Sequence, residues 1–125
     1  FERAIQGCEI VVHMATPLQH NPHYSQYKDT CEAAVAGVKS IVGCCIRSGT
    51  VKRLVYTASV VAASPLKDDG TASYKGSMDE SCWTPLNLSF AYSDHGLTGY
   101  THSKTLSEKE VLGYNINSDL QVVSL

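Results

Sequence analysis

Tyr100 and Lys104 stand four residues apart in the stretch Gly99-Tyr100-Thr101-His102-Ser103-Lys104-Thr105-Leu106-Ser107-Glu108-Lys109. On a helix, residues i and i+4 lie one above the other, so the phenol and the ammonium would project from one face. A cation close to a phenol stabilises the phenolate and draws the tyrosine pKa below its usual value of about 10. A tyrosine placed in this way can pass a proton to or from a substrate oxygen near neutral pH. Tyr24 and Lys28 repeat the spacing, so the elements around each pair must decide between them.

The first of those elements is Glu9 to Met14, a short apolar run bounded by turn-formers. It suits a strand buried on both faces of a parallel sheet, ended by Ala15-Thr16-Pro17. Ligands of doubly wound sheets gather at the carboxyl ends of strands. Ala15 and Thr16 therefore stand where a cofactor can approach the backbone, although a strand stopped by Pro17 accounts for the same residues. From about Tyr24 to Arg47, the positions Tyr27, Cys31, Ala34, Val35, Val38, Ile41, Val42, Cys45 and Ile46 recur at intervals of three and four. That period predicts an amphipathic helix closed by Gly49. Tyr24 and Lys28 fall in its first turn, where Tyr27 already leads the buried stripe, and the pair is set aside as a catalytic candidate.

Val51 to Ser59 is a β-rich run finishing in small and hydroxyl residues. Strand, long helix and strand form a βαβ unit, whose crossover is right-handed in nearly all cases. Ser59 then sits at the carboxyl edge of the second strand, beside the end of the first, either as a functional hydroxyl or as a turn residue. Residues 65–97 lack a sustained period and carry Pro65, Asp68-Asp69-Gly70, Gly76, Pro85 and Gly96, which reads as loop. Loops of that length usually shape a site. Trp83, Leu86, Leu88, Phe90 and Tyr92 would either wall a substrate or pin the loop to the body. The helix of Tyr100 and Lys104 is expected to run to about Tyr114, and residues 119–125 form a third strand. At the other end, Phe1 to Gly7 reads as the end of a helix with Gly7 at its stop.

Hydrophobic residues at 43% and charged residues at 18% describe a globular chain and not a disordered one. A net charge of −2 offers no basic stripe for phosphate backbones, so nucleic acid is not expected as a partner. No apolar run is long enough to span a bilayer, and no basic leader precedes an apolar segment. The five cysteines, Cys8, Cys31, Cys44, Cys45 and Cys82, include no Cys-x-x-Cys pair and read as scattered thiols in a reducing, cytoplasmic compartment. His20 and His23 flank Asn21-Pro22 with no further ligand set, so no metal site is expected. Asn87-Leu88-Ser89 fits a glycosylation acceptor pattern, which means little without a secretory signal.

Ser59 at a strand end, then a loop, then Tyr100-x-x-x-Lys104 and a further strand make an order that resembles the short-chain dehydrogenase/reductase superfamily. Val-Val-His-Met-Ala-Thr-Pro (11–17), Arg-Leu-Val-Tyr-Thr-Ala-Ser (53–59), Asp-Glu-Ser-Cys-Trp (79–83) and Ser-Lys-Thr-Leu-Ser-Glu-Lys (103–109) are similar to the plant dihydroflavonol reductase, anthocyanidin reductase and cinnamoyl-CoA reductase group of extended members. The matches cover essentially the whole chain in the family's order. The resemblance implies α/β architecture, a partial doubly wound, Rossmann-like parallel sheet truncated at both ends. Residues 1–125 would be the central part of an NAD(P)-binding domain, without the glycine-rich first βα unit and without the C-terminal substrate domain.

It also implies roles. Tyr100 would donate a proton to a substrate carbonyl, Lys104 would lower its pKa and bond the nicotinamide ribose, and Ser59 would hold the carbonyl oxygen. Met14, Ala15 and Thr16 match the segment that lines the cofactor, with NADPH the expected donor and a small molecule the substrate. Departures from the pattern are equally specific. No G-x-G-x-x-G occurs, so the pyrophosphate cradle at a helix N-terminus is absent, and the 125 residues alone are expected to bind NADPH poorly. Ala36 stands where many relatives carry asparagine. Ser64 stands where dihydroflavonol reductases carry asparagine or aspartate, and the Asn-Trp-Tyr signature of cinnamoyl-CoA reductases is missing before Lys104. An anthocyanidin-reductase-like reductase of a flavonoid or other phenolic carbonyl substrate is the favoured reading. A nucleotide-sugar epimerase or dehydratase and a non-catalytic Rossmann-like remnant are the alternatives. Apolar sheet edges left uncovered predict poor solubility for the isolated chain.

Overall fold

Three runs rich in β-branched and apolar residues become parallel strands, β1 Ile10–His13, β2 Arg53–Tyr56 and β3 Gln121–Ser124, in the order β1-β2-β3. The computed structural model describes residues 1–18, 23, 26–67, 73–88 and 94–125. Register aligns Val11 with Leu54 and Val122, and His13 with Tyr56 and Ser124. Side chains alternate across a strand, so these six share one face. They meet α2 (Thr30–Ser48) and α3 (His95–Asn117), the two crossover helices, which pack against each other over the sheet. Val38, Ile41, Val42 and Cys45 from α2 close the core with Leu54, Tyr56, Val111 and Val122.

The opposite face is open among the described residues. Ile10 and Val12 are 58% and 55% exposed, so β1 is not buried on both faces as its apolar run predicted. Both described crossover helices lie on the same side of the sheet, and an unbroken apolar run does not reveal on which side its cover falls. The six-residue Glu9–Met14 run is correspondingly a four-residue strand.

Helix limits follow the caps. Asp29 accepts a hydrogen bond from the Glu32 amide at 2.8 Å while the Glu32 carboxylate accepts one from the Lys28 amide at 2.7 Å. This reciprocal arrangement starts α2 at Thr30 and leaves Tyr27 and Lys28 outside the helix; Tyr24 lies outside the described residues. Gly49 ends α2 in the left-handed region, φ 67°, where a side chain would be strained. Asp94 caps α3 through the Leu97 amide at 2.7 Å, so the helix begins before the expected limit and also outruns Tyr114. The short α1 (Glu2–Ile5) gives way to Gly7 at φ 79°.

The described part of residues 65–97 carries more structure than a plain loop. Ala63 bridges Trp83 and Leu66 bridges Tyr74, both antiparallel, and Ser64 and Thr84 donate their amides to Cys82 and Ala62 at 2.9 Å each. Trp83 is further held by the Lys109 ammonium, 5.1 Å from its ring centroid, which pins this segment to α3. Phe90, Tyr92 and Ser89 lie outside the described residues. Beyond β3, the Asn115 side chain donates to the Val122 carbonyl at 2.9 Å and accepts from the Val122 amide at 2.7 Å. All five cysteines are free thiols, three of them buried.

Candidate functional site

The carboxyl ends of the strands are stitched together just beyond the regular ladder. Thr57 donates its amide to the His13 carbonyl at 3.1 Å, and Ala58 donates to Leu125 at 2.7 Å. The chain then turns into a 3-10 helix, Val60–Ala62, which packs against α3. Ser59 is its N-cap, half-buried, with Oγ accepting the Val61 amide at 3.4 Å. A hydroxyl used as an acceptor keeps its O–H to donate.

Lys104 points down from α3 onto these strand ends and is 2% exposed. Its Nζ donates to the Thr57 carbonyl at 2.6 Å and to Thr16 Oγ1 at 3.3 Å, and it lies 4.6 Å from the centroid of the Tyr56 ring. Tyr100 stands one helical turn earlier and is half-buried. The Tyr100 hydroxyl is not among the groups that Lys104 bonds. Ser59 thus follows the end of β2 that Lys104 bonds, and Tyr100 lies one turn before Lys104 on α3. Of the segment 14–16, Thr16 touches Lys104. Met14, 71% exposed, and Ala15 line an open recess of about 750 Å³ with Pro17, Gly37 and Ile41.

Burial sets the electrostatics. It pushes the Lys104 ammonium below the usual lysine range, with the Glu108 carboxylate opposing. It also lowers His13, with the Lys104 charge acting in the same direction. Burial raises the Tyr56 phenol, against the nearby hydroxyls of Ser107 and Thr16. Those hydroxyls approach Tyr56 without completing a hydrogen bond to it among the described residues. Neither His13 nor Tyr56 was singled out from sequence, because each read as one more residue of a buried strand. The alternation that aligns His13 with Tyr56 on the helix side was the available signal.

A second recess, about 440 Å³, adjoins this centre. Val61, Thr101 and His102, neighbours in sequence of Ser59 and Tyr100, line it together with Ser64, Thr84 and Leu88. Leu86 lines it as well, so two of the five residues expected as an apolar wall reach a cavity, whereas Trp83 is a pin. Among the described residues no group of three potential metal ligands assembles; His20 lies outside them.

Residues 1–122 match the 3-beta hydroxysteroid dehydrogenase/isomerase family. The chain belongs to that family. It is 32% identical over 125 residues to a putative anthocyanidin reductase of Ginkgo biloba and 33% identical over 126 residues to a (2S)-flavan-3-ol-forming anthocyanidin reductase of Vitis vinifera. Each alignment takes in all of this chain and about a third of the relative, 35% and 36%. Vestitone reductase from alfalfa (Medicago sativa) superposes with a TM-score of 0.71 at 31% identity over 99% of this chain and 35% of its own. Yeast methylglyoxal/isovaleraldehyde reductase, solved with NADPH, shares the fold at a TM-score of 0.60 and 22% identity. These likenesses place the family member among the extended short-chain dehydrogenases/reductases, beside anthocyanidin and dihydroflavonol reductases, on a Rossmann-like α/β sheet. No helix among the described residues is long and apolar enough to cross a membrane.

Proposed function

We propose that these residues are the central part of the NAD(P)-binding domain of an NADPH-dependent reductase. Its substrate is a flavonoid-type or other phenolic carbonyl compound, with anthocyanidin-reductase-like chemistry favoured. The observation that carries this reading is Lys104, a buried cation anchored to the ends of β1 and β2 one turn from Tyr100. A surface pair surviving by drift would be solvated and weak; Lys104 is instead buried and bonded at the strand ends, which speaks against the remnant reading. The 440 Å³ recess has no lysine or arginine among its lining residues, so it suits an uncharged ring better than the diphosphate of a nucleotide sugar.

The residues present fit the nicotinamide-ribose half of the cofactor. Lys104 and Thr16 offer an ammonium and a hydroxyl at the strand ends, where Rossmann-like sheets hold nucleotides, and Met14 and Ala15 border the open recess beside them. NADPH when bound supplies hydride. The protein's part is to hold the substrate and move the proton. Ser59 donates its O–H to the carbonyl oxygen, Tyr100 transfers its phenolic proton to that oxygen, and the charge of Lys104 stabilises the phenolate left behind. Met14, Ala15, Thr16, Tyr100 and Lys104 are the proposed cofactor contacts. The five free thiols support a reducing cytoplasmic setting, and neither a nucleic acid nor a metal has a part in the mechanism.

The test is to express the protein encoded by the full open reading frame around these residues and follow NADPH oxidation against flavonoids and aromatic aldehydes. Tyr100→Phe should lower kcat by about 10²- to 10⁴-fold, the usual contribution of a positioned acid. Turnover indifferent to Tyr100, or absent across the panel, would refute the proposal.

A further inference from the structure

Among the described residues no carboxylate forms an ion pair with Lys104, and Glu108 acts on it only through space. Among the described residues, the three lysine or arginine ion pairs with acidic side chains involve Lys39, Arg47 and Lys52, not Lys104. Glu108, one turn along α3, has its carboxylate engaged by the Ser124 hydroxyl at 2.6 Å. An ammonium withdrawn from water needs replacement dipoles. The Thr57 carbonyl and the Thr16 hydroxyl supply two, and the Tyr56 ring at 4.6 Å lies within the range at which an aromatic face attracts a cation.

We propose that Tyr56 is a positioning residue. Its ring face, with the Thr57 carbonyl and the Thr16 hydroxyl, takes the place of a counter-ion and holds Lys104 as a cation one turn from Tyr100. The catalytic consequence rests on the reductase reading above, but the seat itself is a property of the fold.

The charges around the seat are consistent with this role. From β1 comes His13, whose ring tilts against Tyr56 at 5.5 Å. Burial and the Lys104 charge keep its imidazole below the ordinary range, so the site holds one positive charge and not two. From α3 itself come Tyr100 and Glu108, and from β2 Tyr56. The Tyr56 hydroxyl is buried and forms no hydrogen bond among the described residues. What Tyr56 presents to Lys104 is its ring face, and this separates two substitutions that would otherwise look alike.

The experiment is an NMR titration of the full-reading-frame protein containing lysine labelled with ¹³C at Cε, with the Lys104 signal identified by its loss in Lys104→Met. Tyr56→Phe, which keeps the aromatic face, should leave the Lys104 midpoint within a few tenths of a unit. Tyr56→Leu should lower it by about one unit, a tenfold change in protonation, and Thr16→Val should lower it by less. The pH profile of kcat/KM should move with the midpoint. A Tyr56→Leu midpoint equal to that of the unmodified protein overturns the seat, even if turnover depends on Tyr100. A lowered midpoint without any NADPH oxidation upholds the seat and rejects the reductase reading. Should Tyr56→Leu fail to fold, Thr16→Val and Tyr56→Phe decide: an unmoved Thr16→Val midpoint, or a Tyr56→Phe midpoint lowered by a full unit, refutes the proposal.

Discussion

The two faces of the sheet are made from alternate residues of the same three strands, and they differ in more than exposure. On the helix-covered face, Val11, Leu54 and Val122 form an apolar row, and the next row, His13, Tyr56 and Ser124, is polar at its tips. Polarity rises toward the carboxyl ends, where Lys104 and Ser59 stand. On the other face the first row, Ile10, Arg53 and Gln121, is mixed and the next, Val12, Val55 and Val123, is apolar, so polarity falls toward the carboxyl ends, and Ile10 and Val12 have no described cover. Apolar content is thus a poor guide to which face is the working one. A rise in polarity along a covered face is a better guide, because buried polar groups are retained only where partners meet them.

Paired truncations would break this contrast most sharply. Leu54 is fully buried, and Leu54→Ala should destabilise the chain by about 2–5 kcal/mol through lost burial and a cavity. Val12→Ala on the open face should cost under about 1 kcal/mol. Urea denaturation of both variants checks the difference, and equal costs would mean that the second face is covered in solution.

A smaller effect sharpens the polar end of the covered face. The native pKa of His13 lies below its ordinary value of about 6.5. As pH falls through that ordinary value the unfolded chain takes up a proton before the native one does, so stability declines with acidity down to the native pKa. Above about 6.5 this group contributes no pH dependence. The slope should not exceed about 1.4 kcal/mol per pH unit. Melting curves at pH 7.5 and 5.5 should therefore separate the native protein from His13→Gln, which lacks this share of the acid sensitivity. An identical acid shift in the two would remove His13 from the account.

The smallest effect belongs to the exposed cations. Arg47 bonds Glu2 at 2.8 Å with both side chains well solvated, 62% and 69% exposed. Arg47→Ala should leave the melting temperature unchanged within error, and a shift comparable to that of His13→Gln would show that exposed pairs matter more here than the buried polar row.

Much of the architecture was legible in the residues. The long 3.6-residue period of α2 and the β-rich runs around it determine two strands and a crossover, and the spacing of Tyr100 and Lys104 survives on one helix. Sidedness was not legible, since Ile10-Val11-Val12 is apolar on both faces and only the placement of the helices distinguishes them. Helix starts were missed by several residues in opposite directions: the apolar period of α2 extends upstream of its cap Asp29, whereas the first turn of α3 lies in a stretch without a sustained period, and Asp29 and Asp94 decide the matter by accepting a single amide each. In the site, the residues that carry recognisable chemistry announced themselves. Tyr56 did not, because an aromatic side chain in a strand has the same appearance whether it fills a core or faces a cation.

The pairing of Asn115 with Val122 has a consequence for self-association. On the outer side of β3, the Val122 amide and carbonyl would be free to template a neighbouring strand from another molecule, but one side-chain amide occupies both. An incoming strand must first evict Asn115 and leave its amide to find new partners. The side chain thus acts as a plug half-way along the side of β3 that no other described strand pairs with.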